Sequence, residues 1–173
     1  MELSEALNNR KSTRHYIDKK VEMLSAANLA PSWKNSQTPR FYVATGEKSK
    51  NAVREALPEF NRKNSENASA YIVTTVVLNR SGFDKDGTAV TEIGNGWAYY
   101  DLGLNNMALL LKATELGIST LVMGIRDGEK LRKEFDIPET EAVVSVIAVG
   151  YTDSEIVRPK RKSLEDFAKF YEE

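Results

Sequence analysis

The chain has 173 residues, of which 41% are hydrophobic and 28% are charged, and its formal net charge is −1. These values are typical of one soluble globular domain and give no global field that would favour nucleic acid or a membrane surface as a partner. The absence of cysteine excludes disulfides, thiolate chemistry and cysteine-ligated metals, and the single histidine, His15, excludes a metal site built from several histidines.

The N-terminal segment MELSEALNNRKS is polar, unlike a signal peptide. No apolar run in the chain approaches the ~20 residues that a membrane-spanning helix needs. We therefore expect a cytoplasmic protein without a membrane partner.

Helices are predicted where apolar residues recur every three or four positions. Leu3, Ala6 and Leu7 indicate a short first helix, and Asn8 and Asn9 favour its end. The other helical segments are 19–32, stopped by Pro31; 51–60, broken or kinked at Pro58; 97–116, followed by Gly117; 128–135, capped by Asp127; and a short C-terminal pattern of Leu164, Phe167 and Phe170. The segment 97–116 carries apolar residues on more than one face, which predicts burial on several sides.

Strands are predicted at three runs rich in β-branched or aromatic residues, namely 41–46, 70–78 and 142–150, and the run at 119–125 is a short strand or a turn. The run AYIVTTVVL at 70–78 has the strongest strand pattern, and a glycine-containing excursion between Asn79 and Trp97 follows it. Because helices and strands alternate along the chain, the order indicates one α+β or α/β domain with a sheet flanked by helices.

Two basic clusters lie near opposite ends of the chain. RKSTR occupies residues 10–14, directly after the first helix, and RPKRK occupies residues 158–162. Guanidinium and hydroxyl groups match phosphate oxygens, but the same residues also serve as solvated turns and solubilising tails. If the chain ends meet, the two clusters could hold one phosphate together.

Amide and glycine residues mark three further candidates. The turn APSWKNSQ, residues 30–37, carries side chains that could read the edge of a heterocycle or could simply stabilise a turn. Asn61 and Asn64 lie at the end of the kinked helix, and Gly124 would let a backbone N–H approach a ligand closely. The sequence contains no nucleophile motif, phosphate-binding loop or dinucleotide fingerprint.

Six segments occur in a characteristic order. They are RKSTR, LAPSWKNSQTPRF, NASAYIVTTVV, DLGLNNMALLLKATELGISTLVMG, AVVSVIAVGY and a basic segment before SLEDF. In this order the chain resembles the FMN-dependent nitroreductase family over nearly its whole length. The resemblance implies an α+β, three-layer fold with one central mixed sheet flanked by helices. It also implies that residues 1–173 form a single domain of an intertwined homodimer, with the tail at about 153–173 packing on the partner subunit.

The resemblance implies a non-covalent FMN at the subunit interface, with its phosphate held by both chain ends. The expected ligands of the phosphate and the ribityl chain are Arg10, Ser12 and Arg14, with Lys11 near the ring. Arg161, together with Lys160, would contact the same phosphate.

The rest of the implied flavin site comes from three segments. The partner subunit would contribute Pro31, Ser32, Trp33 and Asn35. Asn61 would face the pyrimidine edge of the ring, and Asn64 falls where many relatives carry lysine. The backbone of Met123 and Gly124 would approach N5, the atom that accepts the hydride.

The implied activity is a ping-pong reaction, in which NAD(P)H gives a hydride to N5 and a nitroaromatic, quinone or similar acceptor then takes it in the same pocket. Two departures from the family pattern affect this pocket. Thr38-Pro39 stands where relatives usually carry Pro-Trp, and the 79–97 excursion is short, which predicts a more open site.

Two alternatives remain open: a non-catalytic FMN-binding or sensing protein, and a specialised flavin reaction such as reductive dehalogenation. The apolar faces of the helix at 97–116 predict that this helix forms much of the subunit interface.

Overall fold

A computed structural model describes residues 2–10, 24–153 and 157–171 of the chain. Its helices are α1 (Leu3–Asn9), α2 (Glu47–Glu55), α3 (Glu59–Asn64), α4 (Gly96–Glu115), α5 (Gly128–Glu134) and α6 (Leu164–Phe167), with two 3₁₀ turns at Ala27–Leu29 and Trp33–Asn35. Its strands are β1 (Pro39–Ala44), β2 (Ala70–Val77), β3 (Ser119–Met123) and β4 (Glu141–Gly150). Within these ranges, no helix is both long and apolar enough to cross a bilayer.

The four strands form one sheet in the order β1-β2-β4-β3. The two central strands, β2 and β4, are buried along nearly their whole length, as expected for strands covered on both faces. The resemblance implies a mixed sheet, but all three strand pairs within the described residues are antiparallel. β4 runs antiparallel to both of its neighbours, β2 and β3, and β1 runs antiparallel to β2, the next strand along the chain.

Helices cover both faces of the sheet, which confirms the predicted α+β class and its three layers. Alternate residues of β2 enter different cores, because side chains along a strand point to opposite faces. Tyr71 and Val73 pack in a core closed by Val53 of α2 and Leu131 of α5, whereas Ile72 packs in a core closed by α4.

The predicted helix boundaries are confirmed at three positions. Pro58 separates α2 from α3, because its fixed φ and missing N–H do not continue a helix. Gly117 follows α4 with φ +71°, the left-handed conformation that often closes a helix. Asp127 caps α5 by accepting a hydrogen bond from the backbone N–H of Lys130 at 3.0 Å. Two of them border candidate site residues, because Pro58 begins the helix that carries Asn61 and Asp127 follows the end of β3 at Met123.

Three predicted elements differ from the structure in detail. The sequence predicts a buried first strand, but among the described strands β1 lies at the sheet edge and pairs only with β2, and Val43 is exposed. Part of the predicted helix at 19–32 falls outside the described residues, and its described end is the 3₁₀ turn before Pro31. In the tail, α6 is a single turn, and Phe170 lies beyond it.

Candidate functional site

The two ends of the described chain meet at a cluster of arginines. Arg158 donates from Nη1 to the backbone carbonyl of Asn8 at 3.4 Å, which brings the C-terminal segment against the end of α1. Partial burial lowers the pKa of the Arg10 guanidinium, and the positive charges of Arg158 and Arg161 lower it further. In the described part of the chain, no carboxylate forms an ion pair with any of the three. Such a group of guanidiniums is chemically suited to a dianion such as a phosphate monoester.

A second group of candidate residues lies where α3 meets the end of β3. Asn61 is buried and donates from Nδ2 to the backbone carbonyl of Ile125 at 3.2 Å. The side chain of Met123 is buried in the core, so this residue can offer only its backbone to a ligand. A Cβ at Gly124 would meet no atom within 4 Å, so the backbone there borders open space. This turn therefore presents main chain to the space beside it, which suits the close approach of a planar ligand.

The same turn is held by residues that no pattern in the sequence singles out. Arg126 donates from Nη1 to the carbonyl of Gly124 at 3.1 Å and from Nη2 to the carbonyl of Val143 in β4. At the end of α3, Ser65 donates from Oγ to the carbonyl of Asn61 at 2.8 Å, which fixes the backbone of the helix that carries Asn61. A serine that bonds the carbonyl four residues before it, or an arginine that bonds carbonyls two and 17 residues away, carries no motif in the sequence, so neither role could be predicted.

The third group is the turn at residues 32–37, which contains three non-glycine residues in the left-handed backbone region. Their φ angles are +45° at Lys34, +56° at Asn35 and +47° at Gln37. This conformation costs roughly 1–2 kcal/mol per residue, so contacts must hold it. Gln37 donates from its backbone N–H to Ser32 Oγ at 3.0 Å and from Nε2 to Asn35 Oδ1 at 3.1 Å. Within one chain, the side chains of Ser32 and Asn35 therefore stabilise the turn itself.

Asp101 of α4 anchors this turn, although nothing in the sequence of this largely apolar helix indicates such a role. Its side chain is buried, with the residue only 2% exposed. Oδ1 and Oδ2 each accept from the backbone N–H of Trp33 at 3.1 Å, and Oδ2 also accepts from Ser36 Oγ at 3.4 Å. Ser81, in the 79–97 excursion, donates from Oγ to Oδ2 at 2.6 Å. One carboxylate thus connects the turn, the excursion and α4.

Aromatic contacts connect the same three segments. The ring centroids of Trp33 and Trp97 lie 4.6 Å apart with an interplanar angle of 47°, and those of Trp97 and Tyr100 lie 5.7 Å apart. Trp97 also donates from Nε1 to Thr91 Oγ1 at 2.8 Å. The excursion is short, as the sequence indicates, and it contacts the 32–37 turn through an ion pair between Lys34 Nζ and Asp84 Oδ1, 3.3 Å apart.

Sheet pairing sets the local shape at Thr38-Pro39, the departure from the family pattern. Thr38 is fully buried, and its carbonyl accepts from the backbone N–H of Val77 at 3.0 Å, which extends the pairing of β1 with β2. The hydroxyl of Thr38 is also buried and has no hydrogen-bond partner in the described ranges.

A single chain brings together only some of the predicted site residues. Arg10 and Arg161 share the arginine cluster, and Lys160 is exposed on the same C-terminal segment. Elsewhere, Pro31 is exposed before the 32–37 turn, and Asn64 is half-buried at the end of α3. The predicted site residues outside the described ranges are Lys11, Ser12 and Arg14. Among the residues that the structure describes, no hydrogen bond, ion pair or ring contact joins the arginine cluster, the α3–β3 group and the 32–37 turn to one another.

Comparison with known proteins identifies the chain. A family model described as "Nitroreductase family" matches residues 7–151, which is most of the sequence. The chain belongs to the nitroreductase family. A relative from Archaeoglobus fulgidus, provisionally named NADH dehydrogenase/NAD(P)H nitroreductase, is 28% identical over 159 residues, covering 84% of this chain and 83% of the relative. Membership makes this nitroreductase-family protein an oxidoreductase.

Solved structures show that the fold is shared. A provisionally named nitroreductase from Exiguobacterium sibiricum, solved in complex with FMN, has a TM-score of 0.85 and 21% identity over 99% of this chain and 98% of its own. A provisionally named NAD(P)H:FMN oxidoreductase from Staphylococcus epidermidis has a TM-score of 0.85 and 20% identity over 98% of this chain and 96% of its own. At these identities the likeness concerns the fold alone.

Proposed function

We propose that this nitroreductase-family protein is an FMN-dependent oxidoreductase that transfers hydride from NAD(P)H to a nitroaromatic, quinone or similar acceptor by a ping-pong mechanism. The observation that carries the proposal is the arginine cluster, in which Arg10, Arg158 and Arg161 meet from opposite chain ends. Three like charges brought together repel one another, and a phosphate dianion would remove that repulsion. The FMN in one fold neighbour and the names of two relatives support the same cofactor and donor. A cytoplasmic location belongs to the same proposal.

Bound FMN would supply the hydride chemistry at its N5, and the protein would bind and orient it. We assign the phosphate and ribityl chain to Arg10, Ser12, Arg14, Arg158, Lys160 and Arg161, and place Lys11 near the ring. The ring is assigned to Asn61, Asn64 and the backbone of Met123 and Gly124 in one subunit. The partner subunit would contribute its own copies of Pro31, Ser32, Trp33 and Asn35. The open space beside Gly124 and the main-chain character of that turn support this assignment of the ring.

We also propose that residues 1–173 form a single domain and that two copies build each flavin site. Two exposed apolar surfaces support a dimer. One lies on α4, where Tyr100 is 60% exposed and Met107 is 42% exposed, and the other lies in the tail, where Phe167 is 81% and Tyr171 is 89% exposed. Monomeric proteins rarely leave such surfaces in water, and the tail from about residue 153 is proposed to cover the partner subunit.

The dimer can be tested by sedimentation at micromolar concentration. The wild-type chain is expected to be a dimer, and Met107→Asp is expected to yield monomer with reduced FMN binding because it places a charge on the exposed apolar face of α4. Lys133→Asp, which introduces the same side chain at an exposed position of α5, is the control and should remain dimeric. A stable wild-type monomer would contradict the proposed assembly.

The function is tested first by the visible absorption spectrum of the purified protein, before and after anaerobic addition of NADH. Flavin bands that bleach would support both the cofactor and the reductive half of the reaction. Bands that respond to neither NADH nor NADPH would favour a non-catalytic FMN-binding protein. A protein without flavin bands, even after incubation with FMN, would contradict the proposal. Product analysis with a nitroaromatic, a quinone and a halogenated aromatic would then separate the acceptor classes.

A further inference from the structure

We infer that Asp101 is a positioning residue that couples the 79–97 excursion to the 32–37 turn and so fixes the wall that this turn contributes to the proposed flavin site. The effect on ligands rests on the proposed function. The coupling itself is a property of the protein without any ligand and can be measured separately.

The chemistry of Asp101 indicates a role between segments rather than within α4. A buried carboxylate is costly unless donors satisfy it, and within the described ranges no lysine or arginine forms an ion pair with Asp101. All donors to its oxygens come from outside the helix: the N–H of Trp33, the hydroxyl of Ser36 and the hydroxyl of Ser81. A residue that only stabilised α4 would not need this arrangement.

The backbone of the turn explains why an anchor is needed. Lys34, Asn35 and Gln37 adopt left-handed conformations that are unfavourable for side-chain-bearing residues. Asp101 holds the main chain at Trp33, directly before these residues, and contacts Ser36 between them. Loss of the carboxylate would release the start of the turn and allow its backbone to relax.

The link through Ser81 extends the coupling to the excursion. Ser81 is fully buried, and its 2.6 Å hydrogen bond holds the first part of the excursion against α4. The last part is held by Trp97 at the start of α4, which donates from Nε1 to Thr91 Oγ1 of the excursion and packs on Trp33 of the turn. Asp101 therefore bonds turn and excursion at once, and a direct ion pair between Lys34 Nζ and Asp84 Oδ1, 3.3 Å apart, also joins the two segments. A change at Asp101 should reach both segments.

The chain contains a built-in reporter of this coupling. Trp33 and Trp97 are its only two tryptophans, and their rings lie 4.6 Å apart. Two indoles at such a distance interact excitonically, which gives a couplet in the far-ultraviolet circular dichroism spectrum. The amplitude of this couplet in the FMN-free protein reports contact between the turn and the start of α4, where Trp97 also holds Thr91 of the excursion.

The experiment compares Asp101→Ala, Asp101→Asn and Ser81→Ala with the matched control Glu141→Gln. Glu141 is also a buried carboxylate that accepts from hydroxyl groups, those of Tyr42 and Thr75, but it contacts neither turn nor excursion. Each protein is examined for its tryptophan couplet, its Tm, its Kd for FMN by flavin fluorescence, and its kcat and KM for a quinone acceptor.

Asp101→Ala is expected to abolish the couplet and to raise the Kd for FMN about tenfold or more, the size expected for loss of a hydrogen bond to a charged group. Ser81→Ala, which releases only the excursion, should weaken the couplet and raise the acceptor KM severalfold, with kcat and the Kd for FMN changed less than about twofold. Asp101→Asn keeps one acceptor oxygen and should restore part of the couplet. Glu141→Gln should lower Tm without changing the couplet or either binding constant.

An intact couplet in Ser81→Ala and in a folded Asp101→Ala would overturn the inference. So would a fall in Tm with an unchanged couplet, as in the Glu141→Gln control, because that pattern describes a merely structural carboxylate. If Asp101→Ala does not fold, Ser81→Ala and Asp101→Asn decide the question. A wild-type protein that binds no FMN but loses its couplet on substitution would overturn the proposed function and still support the coupling.

Discussion

The arginine cluster makes opposite predictions for the ligand-free and the FMN-bound protein, and Arg10→Ala tests both. With FMN bound, Arg10 is proposed to contact the phosphate, so its removal should weaken binding. Without FMN, the guanidinium of Arg10 lies near those of Arg158 and Arg161, whose charges disfavour its own charged form. Its removal should then leave the ligand-free protein no less stable, because it relieves repulsion.

The expected loss of affinity follows from the type of contact. A hydrogen bond to a charged group contributes ~1.5–3 kcal/mol, which corresponds to a rise in Kd of roughly 10- to 150-fold. The cluster is partly exposed, so salt should reduce the effect, since charges at a surface are screened over about 8 Å at physiological ionic strength. The loss is therefore expected to be larger in low salt than in high salt.

The assay is a fluorescence titration with FMN and, in parallel, with riboflavin, which has the same ring but no phosphate. Arg10→Ala should lose most of the preference for FMN over riboflavin, whereas its affinity for riboflavin should change little. Lys133→Ala, which removes a positive charge from exposed α5, is the control for net charge and should bind like the wild type. Unchanged FMN affinity in Arg10→Ala, or an equal loss for both ligands, would refute the assignment of this cluster to the phosphate.

Two further predictions concern stability. Burial, together with the hydrogen bond to Glu141, raises the pKa of Tyr42 from 10.0 to about 12. The fold therefore favours the neutral phenol. The contribution of Tyr42 to the free energy of unfolding should be complete below about pH 10 and should be lost as the pH rises through about 12. Denaturant titration should show that this loss is absent in Tyr42→Phe. Gly82→Ala should destabilise the protein more than Gly87→Ala, because both have φ near +85° but an added Cβ would lie 2.6 Å from a backbone oxygen only at Gly82. Equal losses in the free energy of unfolding, each ~1 kcal/mol, would show that backbone strain alone determines the cost.

Most helices and strands could be predicted because their causes are local. Pro58 divides α2 from α3 through its own ring, Gly117 ends α4 through its own φ, and Asp127 caps α5 three residues away. The run of β-branched residues in β2 likewise predicts that this strand is buried. The antiparallel order of the sheet is different, since it depends on which strands pair, and no local pattern in β1 or β4 encodes that choice.

The candidate site could be predicted only where the family pattern names its residues. The resemblance selects Arg10 and Arg161, but the contact that brings the chain ends together is made by Arg158 with a carbonyl 150 residues away. Asp101 holds Trp33 across 68 residues of sequence. Such contacts depend on packing between distant segments, so composition and spacing do not reveal them. The sequence therefore indicates residues whose side chains are suited to bind a ligand more readily than it indicates the residues that position them.

The position of Asp101 leads to a final prediction about the assembly. The same helix, α4, carries the anchor of the 32–37 turn on its buried face and exposes Tyr100 and Met107 on another. If the second copy covers that exposed face, and if each turn completes the partner subunit's flavin site, then FMN binds the dimer better than the monomer. Linkage requires that FMN strengthen dimerisation by the same factor by which dimerisation strengthens FMN binding. Sedimentation across a dilution series should therefore give a lower dimer dissociation constant with saturating FMN than without it. A dissociation constant that does not respond to FMN would mean that each site is complete within one chain.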